Sequence, residues 1–466
     1  MIEESQKKSA LLVATLASFL TPFMGSAVNL AVPSLGEQFG STTVMLSWVV
    51  TSYLLASAAF LVPFGRAADL WGRKKVFTIG VTLHTIFSFL SAVAGSMEAL
   101  IFFRGLQGFG GAMIFSTAVA ILTSVYPPHE RGKVLGFNAA AVYTGLSLGP
   151  VLGGMLAHYL GWRSIFYFTA LCGLPIIYFA LFKLKGEWAE AKGENYDIAG
   201  ALIYVFALIA LMYGLSSLAA VAWAKWLLLI GLLGLVMFIM LQLKTPSPVL
   251  NLKLFSDNKA FIYSNLAALI NYSATFAVGF MLSLNLQVVR GFDPQQAGLI
   301  LLFQPVVMAL LSPLAGKLSD RIEPRIVASA GMLLTVIGLL VFYFIDYFSG
   351  LWAVMANLSL LGAGFALFSS PNTNAVMSST EKKFYGVASS TLGTMRLTGQ
   401  AFSMSIVTLL LAHYVGNIQL TKDSAFLLLA GTKATFLIFA VICIFGVFAS
   451  MARGEIRSEA KAEGTR

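Results

Sequence analysis

Gly65-Arg66-Ala67-Ala68-Asp69-Leu70-Trp71-Gly72-Arg73-Lys74-Lys75 lies between two long apolar runs, and Gly316-Lys317-Leu318-Ser319-Asp320-Arg321-Ile322-Glu323-Pro324-Arg325 lies between two others. Each stretch opens on a glycine followed by a basic residue, places an aspartate four residues after the glycine, and closes on a basic cluster. The offset of 251 residues (316 minus 65) implies a chain made of two halves built alike.

With 58% hydrophobic and 11% charged residues in a length of 466, the chain is too apolar for a soluble protein of its size. Apolar runs of about 20 residues, enough to cross a bilayer core of roughly 30 Å as helices, recur from end to end. Fourteen are predicted, at 10–32, 45–65, 76–95, 98–124, 133–159, 162–182, 198–219, 223–243, 259–289, 295–316, 326–346, 350–378, 384–414 and 427–451. The expected fold is an all-α polytopic membrane protein. The first span follows Glu3, Glu4, Lys7 and Lys8 without a small-residue cleavage site and is expected to be retained. Cys172 and Cys443 fall inside spans, as apolar filler rather than as a disulfide pair.

The net charge of +10 does not call for nucleic acid, because the basic residues alternate by loop. Of 30 Lys and Arg, 23 fall in the tails and in the loops after spans two, four, six, eight, ten and twelve. Arg163, Lys225, Arg290, Lys422 and Lys433 are assigned to the opposite loops, and Arg104 and Arg396 to span interiors. The positive-inside rule then predicts that both termini and both repeated stretches face the cytoplasm, in a multi-pass protein of the cell membrane. Two abutting six-span halves would set equivalent positions fewer than about 200 residues apart. The longer offset leaves room for two more spans. The expected organisation is a six-helix bundle at 1–183, a linker with two additional helices at 184–258, a second six-helix bundle at 259–453 and a cytoplasmic tail at 454–466. Asp197 is expected to cap the first inserted helix. Gly386, after Glu381, Lys382 and Lys383, echoes Gly132 after Glu130 and Arg131.

Three further runs complete a pattern. They are Arg104-Gly105-Leu106-Gln107-Gly108-Phe109-Gly110, then Gly145-Leu146-Ser147-Leu148-Gly149-Pro150-Val151-Leu152-Gly153-Gly154, then Gly362-Ala363-Gly364-Phe365-Ala366-Leu367-Phe368 followed by Pro371-Asn372. With the first stretch, which matches G-x-x-x-D-x-x-G-R-K, they make the chain resemble the fourteen-helix drug:proton antiporters of the major facilitator superfamily. The resemblance covers nearly the whole length, although the basic residue often found after the aspartate is Leu70 here. It implies alternating access, with proton-coupled export of small amphipathic organic compounds. Internal repeats and a cavity between them are usual in such carriers. Gly65, Asp69, Gly72 and Arg73, with Glu130 and Arg131, are the expected gate on physical grounds too, since an aspartate at a helix end beside arginines makes charge-assisted bonds. Asp320 carries the weaker second copy. The resemblance assigns proton transfer to Arg104. Arg396, near the middle of its span, is expected to face a cavity, because a buried charge there is otherwise costly. Gly145, Gly149, Pro150, Gly153 and Gly154 match the motif linked with export, and glycines four apart bring helix backbones together.

One departure bears on coupling. Aligning Asn29 to Pro33 with the family's first helix puts Met24 where an aspartate often stands, and all 20 acidic residues fall in tails, loops or span ends. The charges deep in spans are then the two arginines, so neutral or anionic amphipaths are expected to be handled better than permanent cations. Asn29, Gln107, Asn138, Tyr143, Asn271, Asn285, Gln304, Asn374 and Gln400 are the polar candidates to line a cavity, and many polar residues in spans simply join helices. No nucleotide loop, metal cluster or catalytic motif stands out, so no cofactor, metal or enzymatic activity is expected. The expected partners are the organic substrate, a proton or other coupling ion, and lipid. A lipid or metabolite carrier of the same fold, and a membrane sensor that moves nothing, remain open alternatives.

Overall fold

The computed structural model describes residues 4–219, 221–250, 258–319, 321–345, 350–380, 385–416, 418–420 and 424–454. Asp320 lies outside the described residues, as does the side chain of Arg131. The described residues hold fourteen helices long and apolar enough to cross a membrane. The first eight are α1 Glu4–Phe39, α2 Thr43–Trp71, α3 Arg73–Ala92, α4 Met97–Val125, α5 Pro128–Leu160, α6 Arg163–Phe182, α7 Ile198–Ser217 and α8 Ala224–Gln242. The last six are α9 Lys259–Val289, α10 Pro294–Ser319, α11 Pro324–Phe344, α12 Leu351–Ser378, α13 Tyr385–Tyr414 and α14 Ala425–Ala452. Lys433, assigned above to a loop, lies inside α14.

Helices satisfy their own backbone hydrogen bonds, which the bilayer core demands. Their ends are closed by side chains that water would otherwise replace. Ser96 accepts from Ala99 N–H at 3.2 Å, Asp197 from Gly200 N–H at 2.8 Å, and Asp293 forms a capping box with Gln296. The joint between α2 and α3 is one residue, Gly72, at φ 114°. Side chains rarely adopt that backbone conformation.

Packing repeats from one half to the other. In the first half α1 lies on α5, α2 and α3 lie on α4, and α3 lies on α6. In the second, α9 lies on α13, α10 and α11 lie on α12, and α11 lies on α14. Close approaches recur with the same offset. A Cβ on Gly80 would stand 3.0 Å from the Gly110 carbonyl, and one on Gly331 would stand 2.6 Å from that of Gly364. Gly331 follows Gly80 by the 251 residues that separate the two repeated stretches. Small residues here let backbones pack without side chains between them. The pair α7 and α8 pack on each other, and α7 also touches α2 and α13.

Candidate functional site

The two helix groups meet along a seam. Tyr143 on α5 and Ser369 on α12 share a hydroxyl bond of 2.9 Å across it. Tyr272 on α9 lies beside Ser369 and beside Arg396 on α13. The Arg396 guanidinium carbon sits 5.8 Å from the ring centre of Phe115 on α4, back across the seam. Tyr272 packs edge-on against Phe365 at 5.5 Å, and Tyr143, Leu146, Leu311 and Met308 close around them. The result is a hydroxyl pair bonded across the seam with a phenol and a guanidinium beside it, walled by aromatic rings. No ion pair between Arg396 and a carboxylate is found among the described residues. A guanidinium stays charged at any relevant pH and is most favourably matched by an anion or a π face.

Further along the seam, on the face opposite the termini, the groups are drawn together. Ser283 donates to the Asn29 carbonyl at 2.8 Å, Thr43 N–H to the Ile418 carbonyl at 2.9 Å, and Gln419 to the Gly40 carbonyl at 2.7 Å. His158 and Asp293 face each other at 3.8 Å on the same side.

The glycine motif of α5 serves two contacts at once. Gly145, Gly149 and Gly153 recur every four residues against α1, where added Cβ atoms would meet the Phe19 carbonyl, Ser26 and the Ala27 Cα. Gly154 looks the other way: its Cβ would lie 2.5 Å from the Pro294 carbonyl on α10. Opposite it, Gly298 of α10 abuts the Pro150 carbonyl. One face of α5 thus belongs to its own group and the other to the seam.

The charges of the first stretch form a local cluster on the terminus side. Asp69 accepts from Arg73 Nε at 2.9 Å and Nη2 at 2.8 Å, and Arg73 Nη1 reaches Ser124 Oγ at 2.6 Å and Glu190 at 2.7 Å. Gly65 lies in ordinary contact with Ser116. Glu130 pairs with Lys7 of α1 at 2.9 Å. The expected grouping of Glu130 with Asp69 and Arg73 is therefore replaced, at Arg73, by α4 and by the linker after α6. Glu190 was not foreseen, because nothing local in the sequence says where a charged linker will fold back.

Arg104 is fully buried inside the first group, not on the seam. Its Nε donates to the Val49 carbonyl at 3.0 Å, Nη1 bonds Gln107, and the guanidinium lies 4.4 Å from the Tyr53 ring centre. Gln107 passes the chain on to Ser88. Met24, at the aspartate position, is buried and accepts from Thr169 Oγ1 at 3.2 Å.

The sequence profile of the Major Facilitator Superfamily matches residues 14–255 and 265–466. The chain belongs to that superfamily. Its relatives include the riboflavin transporter RibZ of Clostridioides difficile, 26% identical over 95% of this chain and 96% of that protein. The multidrug resistance protein Stp of Mycobacterium tuberculosis is 32% identical over 87% of this chain and 76% of its own length. Among solved structures, a bacterial homologue of the human lysosomal transporter Spinster superposes with a TM-score of 0.67 at 16% identity, over 97% of this chain and 98% of that one. Export proteins for multiple drugs and antibiotics recur among the relatives, so the chain sits with the drug-efflux carriers of the superfamily. Members of this superfamily move solutes and are not enzymes.

The other polar candidates scatter through this superfamily fold. Asn29 lends the seam its backbone carbonyl. Asn271 is fully buried and its amide has no partner among the described residues, and the Asn138 carbonyl oxygen is likewise unpaired. Asn285 starts a π turn in α9, and Gln304 lends its carbonyl to the Gly362 contact. Asn374 donates to Ser319 at 2.9 Å. Gln400 stands four residues after Arg396 on α13, half-buried. Tyr143 and Arg396 are the sequence candidates that the structure joins in one cluster. Tyr272, Ser369 and Phe115 were missed, since a tyrosine or serine in an apolar helix carries no mark of the neighbour it will face.

Proposed function

We propose that this carrier is a secondary active exporter of amphipathic organic compounds, coupled to protons, in the cell membrane with both termini cytoplasmic. The groups 1–183 and 259–453 rock about the seam, and Arg396 with Tyr272, Ser369 and Tyr143 receives the substrate. The observation that carries this reading is the Tyr143–Ser369 bond: its two members come from opposite groups, so rocking must break and remake it. Bonds on the face opposite the termini hold the present state closed on that side. The Asp69–Arg73 loop is the gate of the terminus side, and the export motif of α5 supports the outward direction.

A guanidinium among aromatic rings, without a carboxylate partner among the described residues, favours planar neutral or anionic substrates over permanent cations. The likeness to a riboflavin transporter over nearly the full length supports a second reading within the same site, a carrier of an aromatic metabolite. Reconstituted protein should be offered matched anionic, neutral and cationic aromatic ligands, with riboflavin among the neutral ones, under an imposed ΔpH. Wild type should favour the anionic and neutral members, and Arg396→Ala should erase the difference. Tighter handling of permanent cations, unaltered in the variant, would remove Arg396 from the site.

A further inference from the structure

The linker between α6 and α7 does not hang free. It lies along the Asp69–Arg73 loop and is tied to it at successive points. Arg73 N–H donates to the Trp188 carbonyl at 2.8 Å, and Ala191 N–H to the Asp69 carbonyl at 3.0 Å. The Glu187 carboxylate accepts from the N–H groups of Lys74 and Lys75 at 2.8 and 3.2 Å, at the open N-terminus of α3. That is where a carboxylate is best placed to meet unsatisfied donors and the helix dipole. Glu190 holds Arg73 and Glu194 holds Arg66, at 2.7 and 2.5 Å. Tyr196 donates to the Pro63 carbonyl at 3.2 Å and stacks near Trp71 at 5.4 Å.

The far end of this linker is anchored as firmly. Asp197 caps α7 and also accepts from Gln242 of α8 at 2.6 Å. Helix α7 then reaches both groups. Its Tyr213 packs on Trp48 of α2 at 5.3 Å, and it packs against α13, with Tyr204 beside Thr398. Thr398 stands two residues beyond Arg396. Helix α13 therefore offers Arg396 to the seam and Thr398 to α7, on different sides, since residues two apart do not share a helix face.

We propose that the inserted helix pair and its leading linker form a strap that transmits movement of α13 to the gate loop. The inference rests on the reading of Asp69–Arg73 as a gate. When α13 shifts with the second group, Thr398 carries α7, α7 carries the linker, and Glu187 and Glu190 pull on the loop at Gly72. In the present state the strap supplies Arg73 with its second carboxylate. Slack in the strap frees Arg73 to turn to the second group and close the terminus side. A strap cut at either end is equally slack, so cutting both ends adds nothing.

The test uses full-length protein in nanodiscs with spin labels at positions 137 and 317, on the terminus-side ends of α5 and α10, and with Cys172 and Cys443 replaced. Distance distributions give the ratio of open to closed states on that side. Glu187→Gln/Glu190→Gln and Thr398→Val should each shift the ratio toward closed by about three- to tenfold, as expected for the loss of a few polar contacts. The combined variant should shift it no further than the larger single change. Tyr204→Phe, which removes one hydroxyl, serves if either variant folds poorly. Additive shifts would mean two unrelated contacts and overturn the strap. An unchanged ratio in these variants, with a shift in Asp69→Asn, would overturn the strap and leave the gate standing. No shift in Asp69→Asn either would remove the gate reading and the strap with it.

Discussion

Adding one methyl group at two neighbouring glycines of α5 should separate fold stability from conformational balance. Gly153 faces α1 within its own group, where a Cβ would lie 2.7 Å from the Ala27 Cα and 2.6 Å from its Cβ. Carbon atoms prefer separations of about 3.5–4.0 Å, so the helices would have to part by roughly 1 Å. Gly154 faces α10 across the seam, with the Pro294 carbonyl 2.5 Å away and Gln295 Cα at 3.2 Å. Both obstacles are backbone, which cannot rotate aside. Overpacking of this kind costs about 1–3 kcal/mol. At Gly153 the cost falls on every state, because rocking keeps α1 and α5 together, so Gly153→Ala should lower thermal stability and leave the balance of states unchanged. At Gly154 the cost falls only while the face opposite the termini is closed. Gly154→Ala should therefore shift the equilibrium toward opening there by about 5- to 150-fold, following the tenfold-per-1.4 kcal/mol relation. Labels across the α5–α10 seam, read by distance distributions, and a thermal melt of each purified variant check both halves of the prediction. A Gly154→Ala protein with an unchanged distance distribution would refute the view that this glycine guards a contact broken during turnover. Equal loss of stability in both variants would refute it too.

Four other outcomes follow from the same geometry. Asp69→Asn removes the negative charge from the one oxygen that accepts both Arg73 bonds, at a partly exposed site, and should reduce transport and change the open-to-closed ratio about two- to fivefold while insertion is unaffected, as cysteine accessibility would show. Gly149→Leu drives a branched side chain into Ser26 and the Phe23 backbone, and should stop turnover at matched expression. Arg104→Lys cannot keep the planar bonds to Val49 and Gln107, and should lose about 1–3 kcal/mol of stability in a denaturant or thermal assay. The Arg66 bond and charge hold the Glu194 carboxyl below its ordinary 4.5. A lowered carboxylate pKa adds stability that is full above the unfolded value and vanishes as pH falls through the folded one. Protease cleavage in the linker should therefore stay slow from neutrality down to about that ordinary value and quicken below it, with Glu194→Gln showing no such step.

The class of fold and the number of spans were readable because a bilayer imposes length and composition on each crossing, and the repeat of the Gly65 and Gly316 stretches added the symmetry. The α5 motif was readable for a similar reason: glycines at fixed spacing can serve only a close approach. What the sequence concealed was pairing at a distance. Arg396 announced itself as a costly charge, but nothing near position 272 or 369 said that those hydroxyls would meet it. Arg104 and Arg396 look alike as arginines in spans, yet one is sealed inside its group and the other stands on the seam. The difference lies in helix rotation, which apolar residues all around a membrane helix leave unmarked. The linker glutamates were visible as charges and invisible as ties, since their partners lie more than 100 residues earlier.

The order in which partners appear along the chain bears on how the two arginines enter the bilayer. An arginine at mid-membrane costs about 2.5–3.5 kcal/mol when a lone helix is inserted. Val49 and Tyr53 of α2 and Ser88 of α3 all precede Arg104, so a berth for its head group is already waiting when α4 leaves the ribosome. Tyr272, Ser369 and even Phe115 likewise precede Arg396. The Asp69–Arg73 loop is different. Its Asp69 and Arg73 emerge early, but Glu187 and Glu190 arrive only after α6 is made. During synthesis, then, the first group can settle its buried charge at once while its terminus-side edge stays untied until the linker emerges.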